Sequence, residues 1–249
     1  MEIGRGIDRV AQGVFLVRST AVNWVLVSEG DTLLVVDTGY PRDLDALLAS
    51  VHAVGHRPED VAAVLVTHAH VDHVGALPGF LARHPVPVLT GPGEAAHARR
   101  ERLEQAAPLA VVARAWRPRW LRWGLQVVRS GALRDTPVPT ATEAAPGPLD
   151  LPGTPVAVPT PGHTSGHTAW HLPRHGVVVS GDALVTAHPT TPRTGPQLLD
   201  PLFHHDTARA AAALAALAAL DADVLLPGHG PAHHGPVADA VARVRAAAR

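Results

Sequence analysis

The segment of residues 67–73 constrains this chain more than any other feature. It places three imidazoles, those of His68, His70 and His73, close to the Asp72 carboxylate. Ordinary core packing does not explain such a group, because buried charges and ring nitrogens need hydrogen-bonding or charged partners. Imidazole and carboxylate together suit zinc, iron or manganese. The segment therefore predicts a metal site.

Three further candidate ligands follow, each beside a glycine: His163, Asp182 and His229. Seven ligands are too many for one cation, but they suit two adjacent cations that share one carboxylate. A continuous apolar run at 61–66 precedes the histidine cluster and predicts a strand buried on both faces. The cluster is thus expected at the carboxyl end of that strand.

The bulk properties exclude several classes of protein. The 249 residues are 46% hydrophobic, which is enough for a substantial core, and the formal charge of −1 gives no electrostatic reason to expect a nucleic acid partner. The absence of cysteine excludes disulfides, thiolate zinc sites and a cysteine nucleophile. The N-terminal residues do not resemble a signal peptide, and no apolar run has the length of a membrane span. We expect a cytoplasmic protein with a small-molecule substrate and no integral membrane segment.

Hydrophobic periodicity divides the chain into two halves, each with strands followed by helices. The predicted strands are 13–19, 23–28, 32–37, 61–66, 87–90, 155–158, 168–172, 177–180 and 223–226. The predicted helices are 41–54, 75–83, 93–105, 206–220 and 235–248. A stretch rich in Pro, Ala and Thr, 136–148, predicts a loop. Each half delivers candidate ligands from loops at strand ends.

Residues 107 to about 150 differ in character from the rest. Trp116, Trp120 and Trp123 lie there among several arginines. Three interpretations remain open. The tryptophans pack a lid onto the domain, form a dimer contact, or meet an apolar substrate or a membrane surface, with the arginines reaching outward.

The ordered motifs resemble those of the metallo-β-lactamase superfamily. They are Asp37 after a strand, the HxHxDH run at 68–73, and then His163, Asp182 and His229. The likeness extends from residue 10 to 235. It implies an α/β fold, a four-layer αβ/βα sandwich of two mixed β-sheets flanked by helices. It also implies a single domain over 1–249, with the Trp- and Arg-rich insert or lid at about 107–150.

The resemblance implies a role for each matching position. His68, His70 and His163 would hold one divalent metal ion. Asp72, His73 and His229 would hold the second, and Asp182 would bridge the two. Asp37 would accept hydrogen bonds that orient the ligand loop. Zinc is the expected metal, with iron and manganese as alternatives.

The implied reaction is hydrolysis, in which a hydroxide formed between the metals attacks an ester, lactone or thioester carbonyl. Asp72 is the candidate catalytic residue that orients this hydroxide. Asp182 favours the branch similar to glyoxalase II and lactonases over true β-lactamases, which generally lack it. Position 185 is Val where acyl-homoserine lactonases usually carry Tyr. The chain has no Lys for glutathione, and Arg193 and Arg209 are the candidates to replace it.

Other functions remain open. A persulfide dioxygenase-like oxidoreductase with a single iron shares much of the motif, and a β-lactamase-like amide hydrolase shares the fold. A non-catalytic binding protein on the same fold is a further class. The resemblance also allows a homodimer.

The remaining histidines carry weaker signals. His167 follows His163 by four residues and is either a support for the ligands or an ordinary buried, hydrogen-bonded histidine. His204 and His205 form a pair, and His97 and His188 have no spacing argument.

Overall fold

The computed structural model describes residues 6–247, which form fourteen strands and eight α-helices. The strands are Ile7–Ala11 (β1), Val14–Arg18 (β2), Asn23–Glu29 (β3), Thr32–Val36 (β4), Val61–Val66 (β5), Val88–Thr90 (β6), Ala141–Glu143 (β7), Val156–Pro159 (β8), Thr168–Leu172 (β9), Val177–Gly181 (β10), Val185–Ala187 (β11), Thr194–Gln197 (β12), Val224–Pro227 (β13) and His233–His234 (β14). The helices are Leu44–Ala53 (α1), Val71–Val74 (α2), Leu77–Leu81 (α3), Ala95–Ala98 (α4), Pro108–Val112 (α5), Pro118–Arg129 (α6), Thr207–Ala218 (α7) and Val237–Ala247 (α8).

The first sheet contains β1 to β7 in sequence order. Its first four strands are antiparallel, and β4 to β7 are parallel. The apolar side chains of β4 and β5 are almost all buried, as the continuous hydrophobic runs predict. Because β4 and β5 are parallel, Asp37 and Thr67, which directly follow them, lie at the same edge of the sheet.

The second sheet has the order β14-β13-β10-β9-β8, in which β10 and β13 are parallel and β9 runs opposite to β10. The start of β9 therefore lies at the same edge as the ends of β10 and β13. The Thr168 amide donates a hydrogen bond to the Thr67 carbonyl (2.9 Å), which joins this edge to the first sheet. Two further strands, β11 and β12, form a separate ribbon.

Three apolar clusters separate the layers. Helices α1 and α3 cover one face of the first sheet, with Leu47 and Phe80 in the core. Side chains from both sheets, including Trp170, fill the space between them. Helices α7 and α8 cover the second sheet through residues such as Leu214 and Val241. The predicted four-layer αβ/βα sandwich with two mixed sheets is confirmed.

Two local predictions were wrong. The helix expected over 93–105 is a single turn, α4, because Arg100 adopts a left-handed backbone with φ of 63° and ends it. The predicted loop 136–148 contains β7, which pairs in parallel with β6. This edge strand is three residues long and buries only Ala141, so its sequence lacks an alternating apolar pattern. Among residues 6–247, no helix combines the length and apolar character needed to cross a bilayer.

Candidate metal centre

All seven predicted ligands lie at the shared edge of the two sheets. His68 and His70 occupy the loop after β5, and Asp72 and His73 lie on the single turn of α2. The other three precede β9, follow β10 and follow β13: His163, Asp182 and His229. Their ligand atoms form three overlapping groups, each with all atoms within 4.8 Å: His68–His70–His163, His68–His73–Asp182 and Asp72–His73–His229.

The first group brings three ring nitrogens into a tight triangle. His68 Nε2 lies 3.1 Å from His70 Nδ1, and His163 Nε2 lies 3.1 Å and 3.0 Å from these two atoms. Burial is the main cause that lowers the pKa of each of the three imidazoles, so all three are neutral near pH 7.

The hydrogen bonds on the far sides of the rings assign two of the tautomers. His70 Nε2 faces the Glu104 carbonyl oxygen (2.6 Å), so it carries the proton and Nδ1 keeps a lone pair. His68 Nδ1 faces Thr67 Oγ1 (3.1 Å), whose own proton goes to the Asp37 carboxylate. His68 Nε2 therefore also keeps a lone pair.

The lone pairs of His68 Nε2 and His70 Nδ1 thus face each other at 3.1 Å. His163 Nε2 can donate a proton to only one of these two atoms. A cation bound by all three nitrogens removes this repulsion. Within residues 6–247, buried His73 Nε2 and Asp182 Oδ1 also lack a hydrogen-bond partner. The donor set therefore fits divalent metal ions.

The third group, Asp72–His73–His229, combines two imidazoles with a partly exposed carboxylate. His229 Nε2 lies 3.5 Å from Asp72 Oδ2, and His73 Nε2 lies 3.9 Å from the same oxygen. His229 Nδ1 donates to the Ala21 carbonyl (2.7 Å), so Nε2 is the atom directed at the group. Burial opposes protonation of His73, but the carboxylates of Asp37, Asp182 and Asp72 together raise its pKa to about 10.

Asp182, a member of the middle group, lies between the first and third groups. Its Oδ2 is 3.4 Å from His163 Nε2 and 3.3 Å from His229 Nε2, while Oδ1 is 3.6 Å from His73 Nε2. Burial favours the protonated acid, but the positive charge of His229 and His73 holds the pKa of Asp182 well below its usual value. An ionised carboxylate in this position faces ligand atoms of both groups.

Asp37 accepts three hydrogen bonds at the ligand loop. Its Oδ1 takes the Thr67 amide (2.8 Å), and Oδ2 takes the Thr67 hydroxyl (2.7 Å) and His73 Nδ1 (2.8 Å). The residue itself has a left-handed backbone, with φ of 61°. This geometry matches the orienting role expected of Asp37.

Two glutamates that the sequence analysis missed tie the loops of the first group together. Buried Glu94 accepts from the Ala69 amide (2.7 Å) and from the Thr164 hydroxyl (2.9 Å), and His97 Nδ1 lies 2.8 Å from it. The Glu104 side chain accepts from the amide and hydroxyl of Ser165, while its carbonyl accepts from His70. No sequence motif marks these residues, because their partners are distant in the sequence. Thr164 lies 70 positions after Glu94, and Ser165 lies 61 positions after Glu104.

Further histidines surround the cluster. His167 Nε2 accepts from the Asp182 amide (3.1 Å) and its other nitrogen contacts Thr160, so it is a buried histidine that also supports a ligand. Burial lowers its pKa to about 4. His188 lies with its ring centre 5.0 Å from that of His229, and His204 lies 5.4 Å from His163. The adjacent pair His204 and His205 in the sequence did not predict that His204 lies beside His163.

The only tyrosine of the chain, Tyr40, is buried beside the cluster. Burial, followed by the negative charge of Asp72 and Asp182, raises the pKa of its phenol well above the usual value. The phenol therefore stays protonated and can donate a hydrogen bond to Asp72.

Residues 17–229 match the family described as the metallo-beta-lactamase superfamily. The chain belongs to this superfamily, which confirms the resemblance seen in the motifs. Its members are generally metal-dependent hydrolases, and the histidine and aspartate cluster is compatible with divalent metal ions.

Three curated relatives and one solved structure illustrate the likeness. The chain is 28% identical over 170 residues to YobT, an uncharacterized protein of Bacillus subtilis (65% of this chain, 61% of YobT). It is 26% identical to the probable metallo-hydrolase YflN of the same species (82% of this chain, 78% of YflN). A hydroxyacylglutathione hydrolase of Cupriavidus metallidurans is 31% identical over 64% of this chain and 47% of that protein. A metallo-β-lactamase of Cronobacter sakazakii with a HARLDQ motif superposes with a TM-score of 0.68 at 21% identity (97% of this chain, 92% of that one).

Proposed function

We propose that this protein is a dinuclear metal-dependent hydrolase acting on an ester, lactone or thioester. The observation that carries the proposal is the position of Asp182, whose two carboxylate oxygens face His163 and His229 on one side and His73 on the other. In this proposal, His68, His70 and His163 hold one metal ion, and Asp72, His73 and His229 hold the second. Asp182 is shared by both. Zinc is the preferred ion, because imidazole and carboxylate suit it.

Two divalent cations bound here would supply Lewis acidity toward a carbonyl oxygen and lower the pKa of water. The protein supplies the rest of the chemistry. Asp72 is the one carboxylate of the set with part of its surface exposed (16% of the side chain), so it can meet substrate or solvent. It is the candidate catalytic residue, accepting or relaying a proton at Oδ2, and the protonated phenol of Tyr40 can donate a hydrogen bond to it.

Aromatic side chains beside the centre favour an apolar acyl or aryl group. Trp123 packs against His188 with ring centres 5.6 Å apart, and His188 reaches His229. Phe203 stacks on the neighbouring Trp120 (5.5 Å, 9° between planes). The likeness to a hydroxyacylglutathione hydrolase supports a thioester among the three substrate classes. The cytoplasmic location and the homodimer remain predictions.

A proton-release assay on zinc- and manganese-loaded protein tests the proposal. The panel holds aliphatic lactones, aryl esters, acyl-glutathione thioesters and a β-lactam, each run beside Asp182→Asn. Acid release from one class, lost in the variant together with part of the bound metal, supports the dinuclear hydrolase. Silence across the panel with metal bound, combined with oxygen consumption on a persulfide, would replace it with an iron-dependent oxygenase.

A further inference from the structure

Charge is strongly segregated in this chain. Residues 105–134 contain six arginines and no Asp or Glu, although the whole protein has a formal charge of −1. The rest of the chain therefore carries a formal charge of −7. Five of these arginines are exposed: Arg117, Arg119, Arg122, Arg129 and Arg134. Within residues 6–247, none of the five lies within 4.0 Å of a carboxylate oxygen, so their charge is directed outward.

The same stretch exposes large apolar side chains. On and after α5, Leu109 is 82% exposed, Val112 66% and Trp116 77%. Leu109 and Val112 are three residues apart and therefore lie on one side of the short helix. Trp116 follows Val112 by four residues. Isolated exposed apolar residues are ordinary, but a run of this kind marks an interaction surface.

Helix α6 carries a second exposed stripe. Leu121, Leu125 and Val128 are each about half exposed and recur at helical spacing. A different face of the helix, with Trp120 and Val127, is buried, and Trp120 stacks on Phe203. The exposed stripe is thus not the face that holds the helix on the domain.

The arginines lie where they can accompany this stripe. Arg122 and Arg129 are three and four residues from Leu125, on the same side of α6. At the start of α6, Arg117, Arg119 and Arg122 line an open groove of about 500 Å³ together with Trp120 and Thr190. Guanidinium groups around such a groove suit a phosphate group.

We propose that the outer insert surface binds an anionic phospholipid membrane. We define this surface as Leu109, Val112, Trp116, Leu121, Leu125 and Val128 with Arg122 and Arg129. An amphipathic helix with Arg beside Leu and Trp lies in a lipid–water interface, with its apolar side chains among the acyl chains and its arginines at the headgroups. A symmetric contact with a second copy would instead oppose two cationic surfaces. A nucleic acid would leave the leucines and valines in contact with water or phosphate.

Vesicle sedimentation of the full chain tests the proposal independently of any hydrolase activity. The probes are vesicles of phosphatidylcholine alone and of phosphatidylcholine mixed with phosphatidylglycerol. We expect sedimentation with the anionic vesicles, weakened by about 0.5 M salt because screening shortens the electrostatic range. Brominated lipid should quench the tryptophan fluorescence of the bound protein, because Trp116, which belongs to the surface, is 77% exposed.

Matched variants separate the two components of the surface. Arg122→Gln with Arg129→Gln should weaken partitioning about 30-fold, since each arginine near an anionic surface contributes about fivefold. Leu121→Ser with Leu125→Ser should weaken it about tenfold. Arg243→Gln with Arg245→Gln removes two exposed charges from α8 and should leave partitioning unchanged. Thermal melting of each variant controls for folding.

Two results would overturn the proposal. Equal sedimentation with both vesicle types would remove the role of the anionic headgroup. Absence of vesicle binding, with a dimer in light scattering that Leu121→Ser and Leu125→Ser dissociate, would assign the surface to a second copy of the chain.

Discussion

The Asp37 carboxylate and the His73 imidazole meet at 2.8 Å, and this contact decides which nitrogen of His73 faces the candidate metal centre. With Nδ1–H donating to Asp37, Nε2 is left toward Asp72 and Asp182. Both residues are buried, so water cannot replace the contact. A carboxylate that follows β4 thereby orients the candidate ligand His73 on α2.

Replacing Asp37 with Asn should weaken metal binding about 10- to 100-fold, the usual range for loss of such a support. The three groups that face Asp37 are all donors, and an amide can accept from them with only one of its two atoms. Competition with a chromophoric chelator measures the affinity. Wild-type affinity in the variant would show that His73 is oriented by other contacts.

Replacing Glu94 with Gln should lower the free energy of unfolding by about 1–3 kcal/mol and weaken binding at the first group. The amide cannot accept from Ala69, Thr164 and His97 together. Urea unfolding and metal content measure the two effects. Glu101→Gln, at an exposed position, is the matched control and should change neither. Equal results for the two variants would contradict the role of Glu94.

A methyl group at Gly228 should displace the shared carboxylate. A Cβ there would contact Asp182 Oδ1 and lie 2.7 Å from His73 Cε1. We expect Gly228→Ala to bind fewer metal ions per chain than wild type and to bind the rest about tenfold more weakly. Mass spectrometry of the native protein counts the ions. Gly55→Ala, where the added atom meets open space but the backbone is left-handed, controls for loss of a glycine. Full occupancy in Gly228→Ala would show that the centre can shift.

Acid should destabilise the metal-free protein partly through His188, because burial lowers its pKa to about 3. The unfolded chain binds this proton near pH 6.5 and the folded chain does not, so the free energy of unfolding falls as pH drops from 6.5 toward 3. Between pH 6.5 and 5 the loss from this group is about 2 kcal/mol. His188→Gln should remove that part of the slope in urea titrations. Parallel curves for wild type and His188→Gln would mean that His188 is not held neutral.

The sequence alone determined the family, the layered fold and the positions of the seven candidate ligands. Periodic runs such as 61–66 predict buried strands, and HxHxDH at 68–73 is a local pattern that needs no tertiary information. Short edge strands such as β7 and β14 were missed, because segments of two or three residues are too short to show apolar alternation.

Only the tertiary structure brought the supporting residues to the centre. Glu94 reaches Thr164, and His188 reaches His229, across separations that leave no trace in spacing. The sequence also left the insert undecided, because it gave no reason to assign different roles to Trp116, Trp120 and Trp123. The fold buries Trp120, because it lies on the face of α6 that packs on Phe203, and leaves Trp116, which precedes α6, in the solvent. Side-chain burial depends on which distant surface lies opposite, and chain topology decides that.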